Sequence, residues 1–118
     1  MSVYEDENLI VKPSPIQGLG LFAKRDFAKG EVVTRWQPTR LYTQQEYDSM
    51  KLEAKKYIAP VGPGAYAEMG IPEKYVNHSI AANTEAKSGK DVAIREIKAG
   101  EEITADYRTE GVDLDFEI

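Results

Sequence analysis

Turn-forming residues interrupt this chain so often that, outside residues 31–59, only short elements fit between them. Pro13-Ser-Pro15, the Gly18 and Gly20 pair, Phe27-Ala-Lys-Gly30, Pro60-Val-Gly-Pro-Gly64 and Lys98-Ala-Gly100 each break regular structure, and the apolar runs between them are only a few residues long. The pieces left over are short strand candidates. Leu9–Lys12 and Leu21–Lys24 flank Ile16–Gly20 as a hairpin. Glu31–Trp36 follows the second turn, and Asp91–Ile97 and Glu102–Tyr107 flank the last. One helix is expected. Thr43-Gln-Gln-Glu46 has the form of a capping box, and Tyr47, Met50, Ala54, Tyr57 and Ile58 then recur at helical spacing, predicting a helix from about Gln44 to Tyr57 that ends at Pro60. No internal repeat, low-complexity tract or linker stands out. The tail, Val112-Asp-Leu-Asp-Phe-Glu-Ile118, alternates apolar and acidic residues, as a half-buried strand does. The pattern is mainly β and lacks the β-α-β rhythm of a doubly wound sheet.

Composition narrows what such a fold can do. At 118 residues the chain reads as one domain, large enough to bury about 65% of its unfolded surface without staples. It has no cysteine, which excludes disulfides, thiolate metal sites and cysteine nucleophiles, and its one histidine, His78, argues against a histidine-based metal centre. No apolar run approaches the ~20 residues of a membrane span, and the start, MSVYEDEN, is acidic where a signal peptide would be basic. A soluble, intracellular protein is expected, cytoplasmic or nuclear/nucleoid. With a net charge of −5 it is a poor direct ligand for nucleic acid and a better match for a basic partner.

Gly18-Leu-Gly20-Leu-Phe-Ala23 fits the G-x-G-x-x-G/A fingerprint of dinucleotide folds. The context does not. That fingerprint needs a buried strand before it and a helix N-terminus after it, whereas here Lys12-Pro-Ser-Pro-Ile-Gln17 leads in and Lys24–Gly30 is too short for a crossover helix. Taken alone, the stretch is a hairpin turn. Two further segments change its reading. Tyr75-Val-Asn-His-Ser79 sets three side-chain hydrogen-bonders in a row, and Gly100-Glu-Glu-Ile-Thr-Ala-Asp-Tyr107 follows. The order G-x-G-x-F-A, then Y-V-N-H-S, then G-E-E-I-T-x-D-Y resembles the SET-domain family, the S-adenosylmethionine-dependent protein lysine methyltransferases. The resemblance runs from about Leu9 to Tyr107.

The resemblance implies a mainly β fold of small curved sheets (β-clip-like) with a knot-like crossing, one helix in a central insert, and a single domain over residues 1–118 whose core is about 9–107. It implies S-adenosylmethionine as cofactor, S-adenosylhomocysteine as product and no metal. Gly18, Leu19 and Gly20 would approach the cofactor by their backbone, glycine leaving room for a close ligand. Asn77 and His78 would meet its polar ends, with a buried structural histidine as the other use of His78. Tyr107 would be the catalytic residue and touch the cofactor; a tyrosine closing a core strand is its plainer use. Tyr57, Tyr66, Ala105 and Phe116 would line a substrate lysine channel, although Tyr57 and Tyr66 are equally good core residues. Asn83 falls where the family has the asparagine of N-H-S-x-x-P-N, with Ala82 in place of the proline. Ala105 stands where many relatives have a large aromatic, which would leave higher methylation states unblocked. The chain lacks the cysteine-rich zinc segment that closes many relatives, so the tail 108–118, with Phe116 and its acids Asp113, Asp115 and Glu117, would cover the site or form an edge strand or homodimer contact. The substrate would be a basic, histone-like protein or peptide. A catalytically silent SET-like module binding cofactor or peptide is the alternative.

Overall fold

The computed structural model describes residues 3–55 and 58–106. Its main sheet is assembled from two three-stranded units far apart in sequence. The first comprises β1 (Leu9–Pro13), β2 (Leu19–Ala23) and β3 (Val32–Arg35); the second comprises β8 (Thr84–Ala86), β9 (Lys90–Ala93) and β10 (Glu102–Ala105). Each unit begins as an antiparallel hairpin, with Leu9 opposite Ala23 in one and Thr84 opposite Ala93 in the other. Each then gives its third strand to the other unit. Glu102 of β10 lies opposite Phe22 of β2, and Val32 of β3 opposite Val92 of β9.

The exchange is reciprocal down to single hydrogen bonds. Phe27 N donates to Ile97 O at 2.7 Å and Ile97 N returns a bond to Phe27 O at 2.9 Å. Gly30 N donates to Ala93 O and Gly100 N to Ala23 O, both at 2.8 Å; Ala93 N donates to Glu31 O and Ala23 N to Glu101 O, both at 2.9 Å. The ion pairs repeat too, Arg25 with Glu31 at 2.6 Å and Arg95 with Glu101 at 3.2 Å. The sequence carries the signature: Ala-x-Arg-Asp-Phe-x-x-Gly-Glu-x-Val-Thr over Ala23–Thr34 returns 70 positions later as Ala-x-Arg-Glu-Ile-x-x-Gly-Glu-x-Ile-Thr over Ala93–Thr104. This corrects the expectation that the chain holds no repeat. Five identities in twelve escape notice because the apolar positions are shared only as a class. The strand predicted over Asp91–Ile97 stops at Ala93, since Ile94–Glu96 form the turn that matches Lys24–Asp26.

The core lies where the units interlock. Leu9, Val11, Leu21, Ala23, Phe27, Val33, Val76, Ala93, Ile97, Ile103 and Ala105 form one buried cluster. Phe27 and Ile97 sit back to back at its centre, each under 2% exposed. Burying an aromatic and a branched aliphatic side chain contributes about 1.5–3 kcal/mol each, which favours the packing of the two turns against each other.

Residues between the units form the insert. β4 (Arg40–Thr43), β5 (Ile58–Gly62) and β6 (Ala65–Glu68) make a separate sheet in the order β4-β6-β5. Pro60 lies within β5 instead of starting a loop; β5 is an edge strand, where a missing N–H is tolerated. The predicted helix is two short pieces, α1 (Gln44–Asp48) and α2 (Leu52–Lys55), broken at Ser49–Lys51. The capping box forms as expected: Glu46 N donates to Thr43 Oγ1 at 3.1 Å and Thr43 N to Glu46 Oε1 at 2.8 Å. The Ser49 N–H is shared among three carbonyls as α1 ends. Tyr66 packs beneath α1, its ring stacked on Tyr47 at 4.0 Å and 5°. A 3-10 turn (Glu73–Tyr75) then leads to β7 (Asn77–His78), which runs parallel to β10. No described helix is long and apolar enough to cross a membrane.

Candidate functional site

Three segments distant in sequence meet along β10. β2 pairs with its first half, placing the glycine loop beside Glu102. β7 pairs with its second half, setting Asn77 opposite Thr104 and His78 opposite Ala105. Ser79 N extends that pairing with a bond to Ala105 O at 3.0 Å. Glycine loop, N-H-S segment and the strand that leads to Asp106 are therefore one neighbourhood, as the family resemblance implied.

Glu102 joins the three. Its carboxylate accepts from Ser14 Oγ at 2.8 Å to both oxygens and from Asn77 Nδ2 at 2.9 Å. The same Asn77 amide reaches Leu19 O at 3.1 Å and Gln17 O at 3.2 Å. Ser14 Oγ in turn accepts from Ile16 N at 2.9 Å. Loop, strand and carboxylate are thus laced together by charge-assisted and backbone bonds.

The two glycines serve different needs. Gly18 has φ +45° and open space where a Cβ would point, so its backbone conformation asks for glycine and its surface is accessible. Gly20 is buried. A Cβ there would overlap Glu102 Oε2 and lie 2.9 Å from Ser14 Cβ. Its glycine makes room for a neighbouring side chain, where the sequence suggested room for a ligand. Leu19 between them is 37% exposed.

Asn83 is a structural clamp. At 1% exposure, its Oδ1 accepts from Thr104 N at 2.9 Å and its Nδ2 donates to Glu102 O at 2.8 Å, so the side-chain amide stands in for a missing strand partner of β10. Its position is fixed without a preceding proline. His78 and Asp106 are partly buried and face one another, Nδ1 to Oδ1 at 3.9 Å.

The remaining predicted residues fall as follows. Ala105 is wholly buried within the core cluster. Tyr66 is 7% exposed in the insert, its hydroxyl donating to Gln44 Oε1 at 3.0 Å. Tyr57, Tyr107, Phe116 and the tail 108–118 lie outside the described residues. No cluster of metal-ligating side chains occurs among the described residues.

The sequence profile of the SET domain matches residues 18–108, three quarters of the chain. This chain belongs to the SET-domain family. The family is one of S-adenosylmethionine-dependent methyltransferases, and the SET fold is also what solved structures resemble. A candidate histone methyltransferase of Plasmodium falciparum superposes with a TM-score of 0.70 at 18% identity, over 87% of this chain and 95% of that one. The structure of ctPRC2 in an autoinhibited conformation bound to S-adenosylmethionine matches with a TM-score of 0.72 at 25% identity, over 85% of this chain and 15% of that one. No curated protein matches in sequence. The SET domain described here therefore accounts for nearly the whole of one relative and a small part of the other.

Sequence reasoning named Asn77 and the glycines but missed Glu102 and Ser14, which hold them. The signal lay in the repeat: Glu102 is the polar residue at the position where the first unit has Val32. It also missed a second buried polar group. Asp91, 2% exposed, accepts from Thr34 Oγ1 at 2.6 Å and Trp36 Nε1 at 3.1 Å. Burial pushes its carboxyl up to about 6, against those two bonds, and Glu73 nearby adds to the rise.

Proposed function

We propose that this SET domain transfers a methyl group from S-adenosylmethionine to a lysine side chain of a basic protein. The observation that carries the reading is the convergence of Gly18–Gly20 and Asn77–Ser79 along β10, held by Glu102. The residues fit such a cofactor. The loop offers an exposed backbone at Gly18 and Leu19 that is already ordered, so little conformational entropy is lost on binding. The cofactor would supply an electrophilic sulfonium-bound methyl group.

The protein's part is alignment and proton control. Tyr107, the next residue after Asp106, would direct its hydroxyl at the substrate amine. Holding the reacting atoms in a near-attack arrangement is worth about 7–11 kcal/mol. Deprotonating a lysine of pKa 10.4 at pH 7 costs about 4.6 kcal/mol, and a desolvated channel lowers that by disfavouring the ammonium. Tyr57, Tyr66, Ala105 and Phe116 would form the walls of the channel. Acids of the tail and the overall charge of −5 favour a cationic partner.

The test is calorimetric titration with S-adenosylmethionine followed by labelled-methyl transfer to a basic protein mixture. Tyr107→Phe is expected to slow transfer sharply while cofactor affinity stays nearly constant. Binding without transfer would instead support the silent binding module, and absence of binding would remove both.

A further inference from the structure

The two units of the main sheet share a backbone plan, and one of the register positions where they differ sharply lies beside the candidate site. In the pairing of β3 with β9, Val32 lies opposite Val92; in the matching pairing of β10 with β2, Glu102 lies opposite Phe22. A half-buried valine is the ordinary choice there. A carboxylate in that place must be hydrogen-bonded to offset its desolvation. Its partners are Ser14 and Asn77, which belong to the two segments that flank the candidate site.

The neighbouring residues are matched to that carboxylate. Gly20 lacks the Cβ that would collide with Glu102 Oε2. Ser14, at the mouth of the hairpin, donates to Glu102 and accepts from Ile16 N, passing the restraint into the loop backbone. Asn77 donates both to Glu102 and to the carbonyls of Gln17 and Leu19. The second unit has none of this: its hairpin is a tight turn at Ser88 and Gly89, both with positive φ.

We infer that Glu102 is a positioning residue for the cofactor loop, fixing the Ser14–Gly20 backbone through Ser14 and Asn77. This rests on the methyltransferase reading for its consequence in catalysis, but its structural half stands without it. Removing a charged partner of two hydrogen bonds leaves Asn77 and Ser14 to reorient, and the loop loses its shape before cofactor arrives. The penalty falls on binding. Once cofactor is bound, Tyr107 and the end of β10 act as before.

Two measurements on the full chain decide it. Hydrogen exchange of the cofactor-free protein should show the Ile16 and Gln17 amides exchanging at least tenfold faster in Glu102→Ala, with the Phe27 and Ile97 amides unchanged. In the second, the Kd for S-adenosylmethionine should weaken about tenfold to a hundredfold in Glu102→Ala, the range for losing a charged hydrogen bond. Glu102→Gln, which keeps one acceptor oxygen, should fall between, and kcat at saturating cofactor should stay within about twofold, a small part of the tenfold that 1.36 kcal/mol represents. Val32→Ala is the control, lowering stability with no change in either readout. Unaltered loop exchange in Glu102→Ala would overturn the inference, as would unaltered cofactor affinity. A wild-type chain that binds no S-adenosylmethionine would strike the methyltransferase reading instead, while loop exchange would still decide the role of Glu102.

Discussion

The β1–β3 unit and the β8–β10 unit have the same strands, the same turn and the same ion pair, yet their hairpins have diverged. β8 and β9 are joined by a tight turn at Ser88-Gly89, whereas β1 and β2 are joined by the wider Ser14–Gly18 loop. The wide loop meets Glu102; the tight one meets nothing comparable. Where two copies of one plan agree, the shared residues answer to folding. Where they part, something else is being served. Phe27, Ile97, Gly30 and Gly100 belong to the first class. Gly20, Ser14 and Glu102 belong to the second.

Asparagines at matching positions give the strongest way to break this comparison. Asn8 O accepts from Lys24 N at 2.8 Å, and Asn83 O from Ile94 N at 3.0 Å, so their backbones correspond. Their side chains do not: Asn8 Oδ1 accepts from Arg25 Nε at 2.8 Å near the surface, while Asn83 is enclosed and bonded to β10. Asn83→Ala leaves a buried N–H and a buried carbonyl without partners and should cost about 4 kcal/mol, against about 1 kcal/mol for Asn8→Ala. Chemical denaturation measures both. Equal losses would mean that the side chain of Asn83 does not clamp β10.

Asp91 sharpens the contrast from the other side, since the first unit has Leu21 at that place. Burial raises the Asp91 carboxyl from 3.8 to about 6, so between those values the folded chain keeps a proton that the unfolded chain has released. The contribution of this group to stability is highest at low pH and falls as pH rises through about 4 to 6, by about 3 kcal/mol at 1.36 kcal/mol per unit. Asp91→Asn keeps an acceptor for Thr34 and Trp36 without the charge. Urea unfolding at pH 4.5 and 7.5 should show a decline across the window in the wild type that is reduced in the variant. An identical decline in both would place its origin elsewhere.

The smallest effect tests the symmetry itself. Arg25 and Arg95 make the same exposed ion pair in their respective turns, and exposed pairs contribute little. Arg25→Ala and Arg95→Ala should both lower the melting temperature slightly, Arg25→Ala by a little more because Arg25 Nε also donates to Asn8 Oδ1. A large difference would show that the two turns are not equivalent.

Much of this was legible in the sequence. The short strands followed from glycine and proline punctuation, the N-terminus of α1 from Thr43 and Glu46, and the meeting of three motifs only from the family resemblance that their order carried. What could not be read was who bonds to whom. Asn77 looked like a ligand contact because an amide suits one, but only the sheet register shows its donor group turned toward Gln17, Leu19 and Glu102. The helical stripe through Tyr47, Met50 and Ala54 predicted one helix, and the break at Ser49–Lys51 has no single-residue signal. The repeat was hidden by the interchange of Phe27 with Ile97 and Val33 with Ile103, equal in chemistry and unequal in letters.

The central claim is that cofactor binds at the unit whose hairpin has diverged. Amide chemical shifts of the isotopically labelled chain, followed during titration with S-adenosylmethionine, test it directly. The account predicts the largest shifts at Gln17–Gly20 and Asn77–Ser79, with the matching turn at Lys87–Lys90 unmoved. Shifts centred on Lys87–Lys90, or none at either place, would contradict it.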